Sequence, residues 1–194
     1  MRHGETEGQS SIRYHGSNDV PLSDLGREQI RGLLPLLSDV HFARVVHSPL
    51  QRAAESATLL ADGLGLDRAS LQCERDLREI CFGDAEGMTR EEIEAAFPGF
   101  WSDYEAGRTD SFPGGEPRVA FAERVRGAAL ALAADAWQGD ALLVAHRGIV
   151  KQTLLALLGG DAVPSDELSV ELGSLSVARQ VDGGWQLDVL GMRP

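Results

Sequence analysis

Apolar and polar residues recur along this chain with two periods, and the switching between them sketches an α/β protein. Residues 1–21 read as loop, broken by Gly4, Gly8, Gly16 and Asn18. Behind Ser23, a good helix cap, Leu25, Ile30, Leu33, Leu34 and Leu37 follow a helical spacing. Pro35 lies inside that run and predicts a kink or an early end. Ala43–His47 is a short β-prone run. Ser48-Pro49-Leu50-Gln51 then has the form of a helix start, with serine as cap, proline first and Gln51 closing a capping box; the helix runs to about Leu64.

Leu71–Asp76 reads as a second strand and 77–88 as a loop. Thr89–Ala96 and Phe100–Ala106 read as short helices, and 84–118 as an insertion over the site. A long helix follows from Glu116 to Ala136. Ala141–Ala145 is continuously apolar, as expected of a buried parallel strand. Gly148–Leu158 reads as a helix ended by Gly159-Gly160. The tail has strand-like runs at 167–172 and 174–181, with a hairpin turn at Gly183-Gly184 into Trp185–Leu190. Strands alternating with helices predict one domain over 1–194, a three-layer α/β/α sandwich around a mostly parallel sheet.

With 18 basic and 30 acidic residues the net charge is −12, which disfavours nucleic acid and anionic membranes as partners. An anionic substrate therefore needs a locally positive site. Cys73 and Cys81 are the only cysteines, too few for a disulfide scaffold and compatible with a reducing cytosol. The N-terminus carries no secretion signal, so a cytoplasmic location is expected.

The chemistry concentrates at two histidines. His3 lies between Arg2 and Gly4; His146 lies in Val144-Ala145-His146-Arg147-Gly148, where a buried strand gives way to a helix. Strand ends of this kind bind ligands, and helix N-termini favour anions. Imidazole can attack phosphorus, arginine fits phosphate oxygens bidentately, and glycine admits close backbone approach. Together they suggest phosphoryl chemistry without a metal. Arg52, at the start of the helix after Ser48, is a second phosphate arginine. An acid for the leaving oxygen is sought in 77–87; spacing alone does not separate Glu79 from Glu86.

Arg2-His3-Gly4-Glu5-Thr6 resembles the signature of the histidine phosphatase superfamily, the phosphoglycerate mutase-like proteins. The resemblance continues through Asp19–Ser23, Ser48–Ala53, Leu77-Arg78-Glu79, Glu86-Gly87, Pro113–Glu116 and Val144–His146, in family order over nearly the whole chain. It implies a phosphomonoester hydrolase of a small phosphorylated metabolite, with His3 as nucleophile in a phosphohistidine mechanism. Arg2, Arg52 and His146 would hold the phosphoryl oxygens, Glu79 would serve as acid and then base, and Thr6 would contact phosphate. Gln9 stands where many relatives have a phosphate-binding asparagine. His15 and Gly16 would border the substrate. Arg147 departs from the resemblance, since relatives often have glycine there; its place beside His146 at a helix N-terminus leaves open either a solvated side chain or a holder of a substrate carboxylate or second phosphate. No metal or organic cofactor is expected.

Relatives carry a central strand before Arg-His-Gly, whereas only Met1 precedes it here. Two explanations arise: the given chain begins late, the favoured reading, or the strand is truly lacking and His3 is poorly positioned. A mutase is the first rival function; it needs a larger basic cluster after the acid residue, and the stretch Asp84–Pro117 offers only Arg90 and Arg108. A non-catalytic phospho-ligand binder is the second. Phe97, Phe100, Trp101, Tyr104 and Phe112 either line a pocket for a bulky leaving group or form the insertion's own core, the commoner case.

Overall fold

Backbone bookkeeping decides where the predicted elements stop. The computed structural model describes residues 1–135, 139–159 and 168–194. Helix α1 spans Asp24–Gly32, with the Gly26 amide donating to the Ser23 hydroxyl at 3.1 Å. The run expected to reach Leu37 breaks at Leu33 and resumes as the single turn α2, Leu34–Leu37. Pro35 has no N–H to return to the preceding turn, so the helix is interrupted ahead of it.

Three parallel strands make the central sheet: β1 (Phe42–His47) lies between β2 (Leu71–Cys73) and β3 (Asp140–Val144). Helix α3 (Gln51–Leu64) follows β1. Its start differs from the expected capping box. Leu50 is the capping position, and the Gln51 amide donates to the carboxylate of Asp19 at 2.6 Å, a cap supplied from 32 residues away. Strand β2 stops at Cys73 rather than Asp76, because the Glu74 side chain captures the Asp76 amide and winds 75–77 into a 3-10 turn.

Helices α4 (Arg90–Ala96, with a reciprocal Thr89–Glu92 cap) and α5 (Phe100–Glu105) form the insertion. Phe100, Trp101 and Phe112 are buried against one another, with Phe97 and Tyr104 packed on them; they are the insertion's own core. Helix α6 (Arg118–Ala134) begins two residues later than expected, after Pro117; its expected end, Ala136, lies outside the described residues. Helix α7 (Arg147–Leu158) follows β3, and of the expected terminating pair Gly160 is likewise outside them.

Strands β4 (Leu175–Val181) and β5 (Gly184–Met192) form an antiparallel hairpin. Its two-residue turn is Asp182-Gly183, at φ +49° and +82°, not Gly183-Gly184. Both turn residues take the positive φ that suits a tight hairpin, and Gly184 is left free to pair with Val181. Of the expected strand at 167–172, residue 167 is not described, and 168–172 form no strand. Leu168 and Val170 instead bury their side chains against Val150 and Leu154 of α7.

The sheet is covered on both faces. Val45, Leu142 and Val144 pack with Ile30, Leu33, Ala57 and Leu60 of α1 and α3. The alternate residues Val46 and Ala145 pack with Phe121, Val125 and Ile149 of α6 and α7. Met1–His3 lie beside the end of β3, with Arg2 bridged in parallel to Ala145. The His3 amide donates to the Ala145 carbonyl (2.9 Å), and the Ala145 amide to the Met1 carbonyl (3.0 Å). On their other side the Arg2 amide donates to the Ser174 carbonyl and the Gly173 amide to the His3 carbonyl. Three residues thus bridge the parallel sheet and the start of the β4–β5 hairpin, and His3 is held from two directions. The Met1 amino group donates to the Leu143 carbonyl at 2.6 Å, and burial lowers its pKa to about 5. No described helix is long and apolar enough to cross a membrane.

Candidate active site

Both histidines stand at the carboxyl end of the sheet, His3 paired with Ala145 and His146 next along the chain. Their ring centroids are 5.1 Å apart in an edge-on arrangement. The His3 ring is 3 % exposed, and its Nδ1 lies 2.7 Å from the Gly4 carbonyl. A carbonyl only accepts, so Nδ1 carries the proton and Nε2 keeps its lone pair. Burial, then Arg52 and Arg2, push the His3 pKa well below the usual imidazole value, and the ring is neutral at pH 7.

Gly4 does not leave room for an oxyanion, as its residue type suggests. A side chain there would run into the backbone of Gly26, so the glycine lets the first loop lie directly on α1.

His146 is 1 % exposed, and its Nε2 lies 2.6 Å from the Ser48 hydroxyl. The Ser48 hydroxyl accepts from the Leu50 amide at 3.3 Å, as a capping serine does, and also spans 98 residues to this ring. Burial and the neighbouring cations lower the His146 pKa as well.

Arg52 is 2 % exposed, though among the described residues no carboxylate pairs with its guanidinium. Nη1 donates to the Asn18 carbonyl and Nη2 to the Gly16 carbonyl, both at 2.7 Å. Arg2 donates to the Val170 carbonyl at 3.0 Å, and burial lowers its pKa to about 10. Arg2 Nε, Arg52 Nε, His146 Nδ1 and His15 Nδ1 are buried without a partner among the described residues. Such nitrogens are costly unless an acceptor arrives, and one anion could serve several of them.

Glu79 is 9 % exposed; its oxygens accept from the amides of Ile80 (3.1 Å) and Gly148 (3.2 Å). Burial raises its pKa against those hydrogen bonds and against Arg52 and Arg2. Glu86 has a different task. Its Oε1 accepts from the amides of Ser17 and Phe82 and from the Ser17 hydroxyl, tying the first loop to the segment after Glu79. The structure therefore separates two carboxylates that spacing alone left equal. Gly148 makes room for Glu79: a Cβ there would lie 2.6 Å from Oε1 and 3.0 Å from the Phe121 ring. Gly148→Ala is expected to lower kcat about a hundredfold with the fold retained, as steady-state kinetics and circular dichroism would check.

A cavity of about 350 Å³ lies against these groups, with His146 behind the His3 ring and not itself among the lining residues. Arg2, His3, Arg52 and Glu79 line it, with His15, Gly16, Arg147 and Gly148 around them. Thr6 and Gln9 do not. Thr6 is buried with its hydroxyl 2.9 Å from that of Ser10, and Gln9 is exposed at φ +60°. Ser10 and Ser11 line the wall beside them. Arg13 donates to the Gly87 carbonyl and to Glu92. His41 is exposed and His47 closes β1 with its Nδ1 on the Ser48 carbonyl; neither lines the cavity.

A family model, the histidine phosphatase superfamily (branch 1), matches residues 1–193. The chain belongs to that superfamily. It is a phosphatase of this class. A glucosyl-3-phosphoglycerate phosphatase of Mycolicibacterium vanbaalenii is 34 % identical over 93 % of this chain and 80 % of its own length. An adenosylcobalamin/alpha-ribazole phosphatase of Salmonella typhimurium is 31 % identical over all of this chain and 95 % of its own. Among solved structures, a mycobacterial glucosyl-3-phosphoglycerate phosphatase in complex with VO3 superposes with a TM-score of 0.84 at 30 % identity, over 98 % of this chain and 96 % of that one. The alpha-ribazole phosphatase of Shigella flexneri gives 0.85 at 28 % identity, over 99 % and 94 %.

Proposed function

We propose that this phosphatase hydrolyses monoesters of a small phosphorylated metabolite through a phosphohistidine on His3, without a metal. The observation that carries the reading is the 5.1 Å approach of the His146 ring to the His3 ring, which lines one cavity together with Arg2, Arg52 and Glu79. The neutral His3 Nε2 attacks phosphorus while the P–O ester bond breaks on the opposite side. Arg2 and Arg52 meet the charge on the non-bridging oxygens. In the tautomer that this mechanism uses, the Ser48 hydroxyl donates to His146 Nε2 and the proton stays on the unpartnered Nδ1, a donor for the phosphoryl group. Glu79, whose acid form burial favours, gives its proton to the departing oxygen. It then takes one from the water that attacks the phosphohistidine, releasing inorganic phosphate and restoring His3.

Thr6 and Gln9 act at most through their neighbours, Thr6 by holding Ser10 at the cavity wall. Relatives named for glucosyl-3-phosphoglycerate and alpha-ribazole support a small organic phosphate as substrate. Transfer to a second substrate, as in a mutase, draws no support from the insertion's cations. Arg108 is paired with Asp103, and Arg90 with Glu105. Incubation with p-nitrophenyl phosphate labelled in its phosphoryl group tests the reading. Rapid alkaline quenching is expected to recover an acid-labile label on wild type and none on His3→Ala, with turnover indifferent to EDTA. An unlabelled wild type whose turnover EDTA abolishes would overturn it.

A further inference from the structure

The cavity inverts the charge of the molecule. On a chain of net charge −12, six cations line it, Arg2, Arg13, Arg52, Arg90, Arg147 and Lys151, against the single carboxylate of Glu79. Arg2 and Arg52 suffice for one phosphoryl group. Of the outer four, Arg13 is held by Glu92 and the Gly87 carbonyl. Arg90 is held by Glu105 and lies 4.1 Å over the Trp101 ring.

Arg147 differs from both. It opens α7 directly after His146, is exposed, and has no hydrogen bond or ion pair with the described residues. Lys151 follows one helical turn later on the same face and also lines the cavity. A cation left uncommitted at a helix N-terminus, inside a cleft already positive, is arranged to receive negative charge.

We propose that Arg147, backed by Lys151, binds a second anionic group of the substrate, a carboxylate or a second phosphate, and so selects doubly anionic phosphomonoesters over those with a neutral organic part. This rests on the hydrolase reading above and narrows its substrate class. Arg147 acts by binding and takes no part in the bond-making steps.

The test compares 3-phosphoglycerate, fructose 1,6-bisphosphate and glycerol 3-phosphate as substrates of wild type, Arg147→Gln and Arg147→Lys. In wild type, kcat/KM for at least one doubly anionic ester exceeds that for glycerol 3-phosphate; the better of the two tells carboxylate from phosphate. In Arg147→Gln that ratio falls about ten- to a hundredfold, through KM rather than kcat, and Arg147→Lys keeps most of it. An unchanged ratio, or an equal fall on all three esters, overturns the proposal. Calorimetric binding of the same three esters to His3→Ala, with and without Arg147→Gln, gives a readout free of turnover. If wild type hydrolyses nothing, the hydrolase reading fails, and equal affinities in the calorimeter then overturn the subsite separately.

Discussion

Replacing His3 by alanine is expected to reduce phosphomonoester turnover about ten-thousand-fold or more, with little change in melting temperature. The loss is that large because the proposed mechanism makes the ring the bond-forming group, and a mechanism that loses its nucleophile falls back on binding and electrostatics alone. The pH profile supplies a finer check. His3 is pushed well below the usual imidazole range, so its attacking lone pair persists into acid solution. Glu79 is raised, so its acid form persists above the usual carboxylate range and is lost as pH climbs through that raised value. Activity on an alkyl phosphate should therefore peak on the acid side and fall on the alkaline side. Glu79→Gln should remove the alkaline fall and cost a hundred- to ten-thousand-fold on alkyl phosphates. It should cost far less on p-nitrophenyl phosphate, whose leaving group needs no proton. Equal losses on both esters would refute the assignment of Glu79 as acid.

Arg52→Ala is expected to damage both stability and rate. The buried guanidinium braces the first loop through the carbonyls of Gly16 and Asn18. The Asn18 side is exposed and can rehydrate, whereas the Gly16 carbonyl is buried and would be left unpaired at a cost of about 1–3 kcal/mol. Loss of the planar donor should lower kcat about a thousandfold. Burial also disfavours the charge, as the lowered Arg52 pKa records, so an anion that reaches it should stabilise the fold. Saturating phosphate or vanadate at about a hundred times its Kd should add about 2.7 kcal/mol to wild-type stability. Arg52→Ala should show much less of that gain in thermal denaturation. An equal gain in both proteins would mean that the anion binds elsewhere.

The elements that could be read in the sequence were those whose signals are local. The runs of α1, α3 and α7, the short helix at Thr89–Ala96 and the apolar strand β3 all lie within a dozen or so residues. What misled was local appearance with a distant partner. Ser48 accepts from the Leu50 amide as a cap would, yet it also reaches His146, and the Gln51 amide that the capping box should have served is taken by Asp19. Glu79 and Glu86 are equivalent in spacing, and only burial against Gly148 in one case and the amides of Ser17 and Phe82 in the other tells them apart. Family order pointed to Gln9, yet the adjacent Ser10 and Ser11 line the cavity, a turn of the backbone that no periodicity encodes.

The pairing of Arg2 with Ala145 sets the phase of the whole site. Side chains on an extended segment change face with every residue, so a one-position slip would swing His3, the proposed nucleophile, toward the opposite side of the sheet. Because Ala145 immediately precedes the second histidine, the same ladder indexes both rings at once. Insertion or deletion of a single residue at this edge should thus be far more harmful than any conservative replacement there: it would uncouple two reagents whose alignment is written in main-chain hydrogen bonds.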